Sequence, residues 1–236
     1  MTVTPQIAAA ADGTVVIVAP DGTVRYLGES IWIEFQSGFS AIAIACYSAD
    51  YIAAVGADGY IYTWSGSAWA QHDNLKQFKK VEYDLYNHIL FGIGTDDLLY
   101  NWGGNSWVLT KCLSKDCLDL TLYHNDLNAR VIDLSDGLVY AYTSPGWQPV
   151  TGSPVCTAIT MDVVSGHTYV HAISGGEIKS YTADGWGSIP HPDLTMIDID
   201  SYANGSFWAI GYDEYGEYYA VRCNTDPEVY FFPKIP

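Results

Sequence analysis

Basic residues are scarce in this sequence: 10 Lys and Arg stand against 27 Asp and Glu, a formal net charge of −17 over 236 residues. Such a chain repels phosphate backbones and anionic headgroups, which excludes nucleic acid and acidic membranes as partners. The few cations are scattered apart from Lys79 and Lys80, so a neutral ligand fits better than an anionic one. Long apolar runs are also missing. No stretch reaches the roughly 18 residues of a spanning helix, and the segment after Met1 has neither the basic start nor the apolar core of a signal peptide. A cytoplasmic chain without membrane insertion is expected. Cysteine is sparse and odd in number: Cys46, Cys112, Cys117, Cys156 and Cys223 contain no CxxC pair, which suits thiols in a reducing compartment. The Cys112–Cys117 spacing matches no zinc signature and lacks a second half.

Catalytic signatures are absent too. There is no GxSxG, no phosphate-cradling glycine loop, no HExxH and no SxDxGxTW box of the sialidase propellers. Of the scattered histidines only His167 and His171 stand four apart, a spacing that converges on a helix but not on a strand. Asp198 and Asp200 share one side of a strand, expected at an ordinary surface, with a calcium site including Asn204 as the alternative. No cofactor, no metal and no enzymatic activity are expected.

What the sequence does hold is a repeat. The turn pairs Asp21-Gly22, Asp58-Gly59, Asp96-Asp97, Asp136-Gly137, Gly175-Gly176 and Tyr215-Gly216 recur at near-constant spacing. Ten residues beyond the first five stand Trp32, Trp69, Trp107, Trp147 and Trp186; the sixth unit carries an insertion before Tyr230. Five residues beyond the turns a mostly aromatic series runs Leu27, Trp64, Trp102, Tyr142, Tyr181 and Val221. Upstream, Ile7, Ile42, Val81, Leu120, Ile159 and Ile197 repeat with spacings of 35, 39, 39, 39 and 38. Within a unit, period-two runs such as Tyr60-Ile61-Tyr62-Thr63-Trp64 are split by Gly, Asp, Asn and Ser, the pattern of short strands. The Asp-Gly pairs read as tight hairpin turns with both positions at positive φ.

Six four-stranded antiparallel units, at roughly 4–38, 39–78, 79–117, 118–156, 157–195 and 196–236, imply an all-β, six-bladed β-propeller in a single domain. Closing the ring removes the sticky sheet edges that an open stack would expose. Either every blade is continuous, or a few residues at Met1 to Thr4 complete the last one.

Residues 41–69, AIAIACYSADYIAAVGADGYIYTWSGSAW, and 159–186, ITMDVVSGHTYVHAISGGEIKSYTADGW, resemble tectonin repeats: an apolar strand, a glycine turn, an aromatic strand and a closing Trp. The resemblance spans the chain. It implies a lectin with several carbohydrate sites on or between neighbouring blades, recognising O-methylated fucose or mannose glycans on bacterial or nematode surfaces in fungal defence. Arg25, Leu27 and Val221 depart from the pattern, so the first and last repeats are the weakest site candidates.

Sugars present apolar C–H faces ringed by hydroxyls, and a binder therefore wants aromatic platforms with polar tips. The third strands supply them. Tyr62, Trp64, Tyr100, Asn101, Trp102, Tyr140, Tyr142 and Tyr181 are the candidate ligand contacts. The same repeated aromatics also serve as packing between blades, and non-repeating Asn87, His88, Asn105, Asp184 and His191 lie near the turns. A protein-interaction scaffold is the alternative function, because fold alone does not fix function.

Overall fold

The computed structural model describes residues 3–36, 38–84, 87–110, 116–122, 129–143, 146–164, 167–203, 206–224 and 229–236. Blade 1 comprises β1 (Gln6–Ala9), β2 (Val15–Val18), β3 (Val24–Leu27) and β4 (Trp32–Glu34); blade 2, β5 (Ala41–Ser48), β6 (Tyr51–Gly56), β7 (Ile61–Trp64) and β8 (Trp69–Gln71). Blade 3 holds β9 (Phe78–Tyr83), β10 (Leu90–Gly94), β11 (Leu99–Trp102) and β12 (Trp107–Leu109); blade 4, β13 (Cys117–Thr121), β14 (Arg130–Asp133), β15 (Val139–Thr143) and β16 (Gly146–Pro149). Blade 5 follows with β17 (Ala158–Val164), β18 (His167–Ser174), β19 (Glu177–Thr182) and β20 (Gly185–Ser188), and blade 6 with β21 (Thr195–Ala203), β22 (Ser206–Tyr212), β23 (Tyr218–Asn224) and β24 (Val229–Lys234). Each is a four-stranded antiparallel meander in sequence order, so the molecule is the all-β, six-bladed propeller that the repeats imply. Among the described residues every blade is continuous, and no strand is borrowed across the join.

The turn between second and third strands explains the Asp-Gly signal, with one correction. Only the second residue takes positive φ in most blades: Gly22 (83°), Gly59 (84°), Asp97 (67°), Gly137 (71°) and Gly216 (78°). The first residue acts through its side chain instead. Oδ1 of Asp21, Asp58, Asp96 and Asp136 accepts the backbone N–H two residues on, at 2.9, 3.1, 3.3 and 2.9 Å. These are Asx turns, which Asp favours over other first residues. The two-glycine turn of blade 5 alone has both positions positive, Gly175 at 61° and Gly176 at 82°.

Core packing lies between blades. Separate apolar clusters join blades 1 and 2, 2 and 3, 3 and 4, 4 and 5, and 5 and 6. A sixth, with Ile7, Ile17 and Trp32 against Trp208, Ile210 and Ile235, joins blade 6 to blade 1 and closes the ring. A fully buried Leu, Ile or Phe contributes about 1.5–3 kcal/mol, and no blade can obtain this alone.

The first strand of every blade touches those of its neighbours, so these strands form the inner wall. Here the surface reading of Asp198 and Asp200 fails. Asp198 is 2% exposed. Its Oδ2 accepts the Ile7 N–H at 2.7 Å, and Asp200 Oδ2 accepts that of Ala9 at 2.7 Å. Asp119 Oδ2 does the same for Ile159 at 2.9 Å. Lys80 Nζ donates to Gln6 Oε1 at 2.9 Å and pairs with Asp119 Oδ1 at 3.2 Å and Asp198 Oδ1 at 3.7 Å. Innermost strands lack a strand partner on the side facing the axis, and these carboxylates satisfy N–H groups on that side. Burial pushes the carboxyls up, Asp198 to about 6 and Asp200 to about 7, with Glu82 well above its usual value. For Lys80 burial opposes the charge, but Asp119, Asp198 and Glu82 outweigh it and hold the pKa above its usual value. Asn204 of the calcium alternative lies outside the described residues, and no group of three metal-ligating side chains occurs among those described.

Candidate functional site

Strand pairing brings two repeated series together. The third-strand residue faces the closing Trp of the same blade: Leu27 to Trp32, Trp64 to Trp69, Trp102 to Trp107, Tyr142 to Trp147, and Tyr181 to Trp186. Ring centroids of the four aromatic pairs lie 5.7, 5.3, 5.6 and 5.3 Å apart. Each pair turns toward the preceding blade. Trp64 meets Phe35 of blade 1 at 5.0 Å, and Trp102 meets His72 of blade 2 at 4.5 Å.

Between blades 2 and 3 this geometry leaves a cleft of about 870 Å³. Trp64 and Trp102 form its aromatic walls, Tyr51 and Tyr83 add further rings, and Asp50, Thr63, His72 and His88 supply polar groups. His72 Nε2 is enclosed and has no hydrogen-bond partner. Burial lowers the His72 pKa against the opposing pull of Asp73, so the ring is neutral at neutral pH. His88 has positive φ (59°) and lies 3.9 Å from the Tyr47 ring. Asp50 Oδ1 rests against Gly66, whose φ is +83° and where a Cβ would come within 2.6 Å of that oxygen. Gly66 therefore holds both the turn and the carboxylate beside the cleft.

The candidate residues divide. Trp64 and Trp102 line the cleft. Tyr62, Tyr100 and Tyr140 stand at the opposite rim, where their hydroxyls donate to Oδ2 of Asp58, Asp96 and Asp136 at 2.8, 2.7 and 2.8 Å. They fasten the Asx turns, and Arg25 does so in blade 1 with Asp21 at 3.3 Å. The Tyr62 ring is stacked on Phe39 at 4.1 Å and the Tyr100 ring carries Lys76 Nζ at 3.9 Å. Asn101 alternates to the other face of its sheet, pairing with Phe91 and Val108. Tyr142 and Tyr181 repeat the ring pair in blades 4 and 5, where the hairpin tips corresponding to Asp50, residues 123–128 and 165–166, lie outside the described residues.

Sequence reasoning missed His72, Asp50 and Tyr83. A partial signal existed for His72: three residues after the closing Trp stand Phe35, Val150 and Ile189 in three other units and Thr110 in a fourth, so His72 is the one ionisable residue in a mostly apolar series. The pair His167 and His171 does not converge, since His167 is exposed and His171 is fully buried. Cys112 lies outside the described residues; Cys117 is buried, its thiol pushed up to about 12 by that burial.

No protein-family model matches the sequence, and no curated protein matches it. Solved structures do share its shape. AofleA from Arthrobotrys oligospora superposes with a TM-score of 0.63 at 14% identity, over 98% of this chain and 87% of that one. A variant of Aleuria aurantia lectin in complex with alpha-methyl-L-fucoside gives 0.64 at 13% identity, over 98% and 94%. YCF48 bound to D1 peptide gives 0.57 at 13% identity, over 96% and 80%. At these identities the likeness establishes the fold.

Proposed function

We propose that this chain is a carbohydrate-binding propeller, a lectin of tectonin type and not an enzyme, with a neutral sugar seated between blades 2 and 3. The observation that carries the reading is the cleft itself. Two Trp rings offer stacking surface for C–H faces, and neutral His72 with Thr63 and Asp50 offers hydrogen bonds without a cation. The Aleuria lectin complex supports it, as a similar propeller that holds a fucoside. An O-methyl group on fucose or mannose would place an apolar knob against the same rings, and the tectonin resemblance favours that ligand class on microbial or nematode surfaces. A cytoplasmic store of such a lectin is part of the same reading.

A glycan array with the full chain tests it, comparing methylated and unmethylated fucosides and mannosides. Trp102→Ala is expected to lower affinity by at least about 30-fold, the scale of a buried aromatic anchor worth about 2 kcal/mol. No array signal, or an unchanged signal in that variant, overturns the reading. The peptide complex of YCF48 favours a second one, a protein-interaction scaffold, which peptide binding without glycan binding would support.

A further inference from the structure

One blade back, between blades 1 and 2, lies a second cleft of about 620 Å³ that shares Trp64, Asp50 and Gly66 with the first. Its chemistry differs. The place of Trp102 is taken by Trp64 and that of His72 by Phe35, so the wall becomes a run of three rings, with Phe35 4.9 Å from Tyr26 and 5.0 Å from Trp64. Its lining holds carboxylates and no Lys or Arg; Arg25, opposite Glu34 across β3 and β4, is paired with Asp21 at 3.3 Å. Asp12 is committed to structure, its oxygens accepting Thr14 N–H at 2.9 Å and Ala49 N–H at 3.0 Å. Glu34 and Asp50 are exposed and take no hydrogen bond or ion pair from any described residue.

We propose that this cleft is a second subsite, for a sugar unit bearing a protonated amine, continuous with the neutral cleft across the shared Trp64. The proposal rests on the sugar-binding reading for the first cleft. A positive group over aromatic faces gains from the ring quadrupoles, most of all on Trp, and two carboxylates that take no ion pair from a described residue add Coulomb attraction. Neither gain is open to an N-acetylated or hydroxylated unit. Because the two clefts share a wall, the preferred glycan is a short oligomer that carries its amine one or two units from a neutral sugar. An exposed pair and one cation–π contact together correspond to about a tenfold preference.

Calorimetry on the full chain at about pH 6, where a sugar amine is protonated, compares a fully deacetylated glucosamine tetramer with its N-acetylated counterpart. The expected result is about tenfold tighter binding of the amine form at low salt, largely lost at about 0.5 M salt where exposed charges are screened. The net charge of −17 attracts any polycation, so Glu34→Gln/Asp50→Asn is the deciding variant: it removes two of 27 acidic residues yet should abolish the preference. A preference that survives the double variant, or equal affinity of the two tetramers in the wild type, overturns the proposal. Loss of neutral-sugar binding in Trp102→Ala with the amine preference retained supports two separate subsites. Should no neutral sugar bind at all, while glucosamine binding depends on Glu34 and Asp50, the reading of the first cleft falls and the amine subsite stands.

Discussion

The ring of His171 lies between blades 5 and 6, fully buried and stacked on Phe207 at 4.4 Å, and neither ring nitrogen has a partner. Burial pushes its pKa down to about 4 from 6.5. The folded state thus resists a proton that the unfolded chain accepts. Its contribution is fully present above pH 6.5 and is lost as pH falls toward 4, which amounts to about 2 kcal/mol at pH 5. Asp198 and Asp200 have the opposite sign: raised to about 6 and about 7 from 3.8, they favour the fold at low pH and oppose it as pH rises through those values. His171→Leu separates the two, since it removes only the first. Its unfolding free energy from urea titration is expected to gain on the wild type by about 2 kcal/mol more at pH 5 than at pH 8. A gain equal at both values would mean that the imidazole is already protonated or paired in the native state.

At the scale of strands and turns, the tyrosines of the third strand and the tryptophans beside them have separate duties although they share a sheet face. The Tyr62, Tyr100 and Tyr140 hydroxyls hold turn carboxylates at one rim, and Trp64 and Trp102 open on the other. Tyr62→Phe removes one exposed hydrogen bond, expected to cost about 0.5 kcal/mol and to leave sugar binding within a factor of two. Thermal melts and the glycan array check both parts, and loss of binding in Tyr62→Phe would move the site to the turn rim. This division was only half legible in the sequence. Turn residues and closing tryptophans recur because every blade solves the same turn and the same packing, so their period revealed strands, blade number and ring. A binding cleft is where that sameness stops: His72 stands where three other units carry Phe35, Val150 and Ile189, and that substitution has no period of its own. Asn101 stands apart from the ring pair for another reason. It neighbours Trp102 in the chain, but the two-residue alternation sends its side chain to the opposite face.

For the whole ring, closure depends on the axis as much as on the join between the last and first blades. Lys80 of blade 3 reaches Gln6 of blade 1, Asp119 of blade 4 and Asp198 of blade 6, and the same Asp198 holds Ile7 of blade 1. Strand parity placed Asp198 on one side of β21, but that this side faces the axis follows only once six units close. Removing the cation leaves buried carboxylates uncompensated, which typically costs about 3–5 kcal/mol. Lys80→Met is therefore expected to destabilise the protein on that scale at pH 8. The cost should shrink at pH 5, because carboxyls raised to about 6 and about 7 can take up protons there and shed the repulsion. Unfolding should remain a single step, since each blade buries its apolar face only against its neighbours. Urea titrations followed by tryptophan fluorescence and circular dichroism at both pH values measure all of this. Non-coincident curves from the two probes would show a ring that opens before its blades unfold, and an equal loss at pH 5 and pH 8 would show that the axial charges do not govern closure.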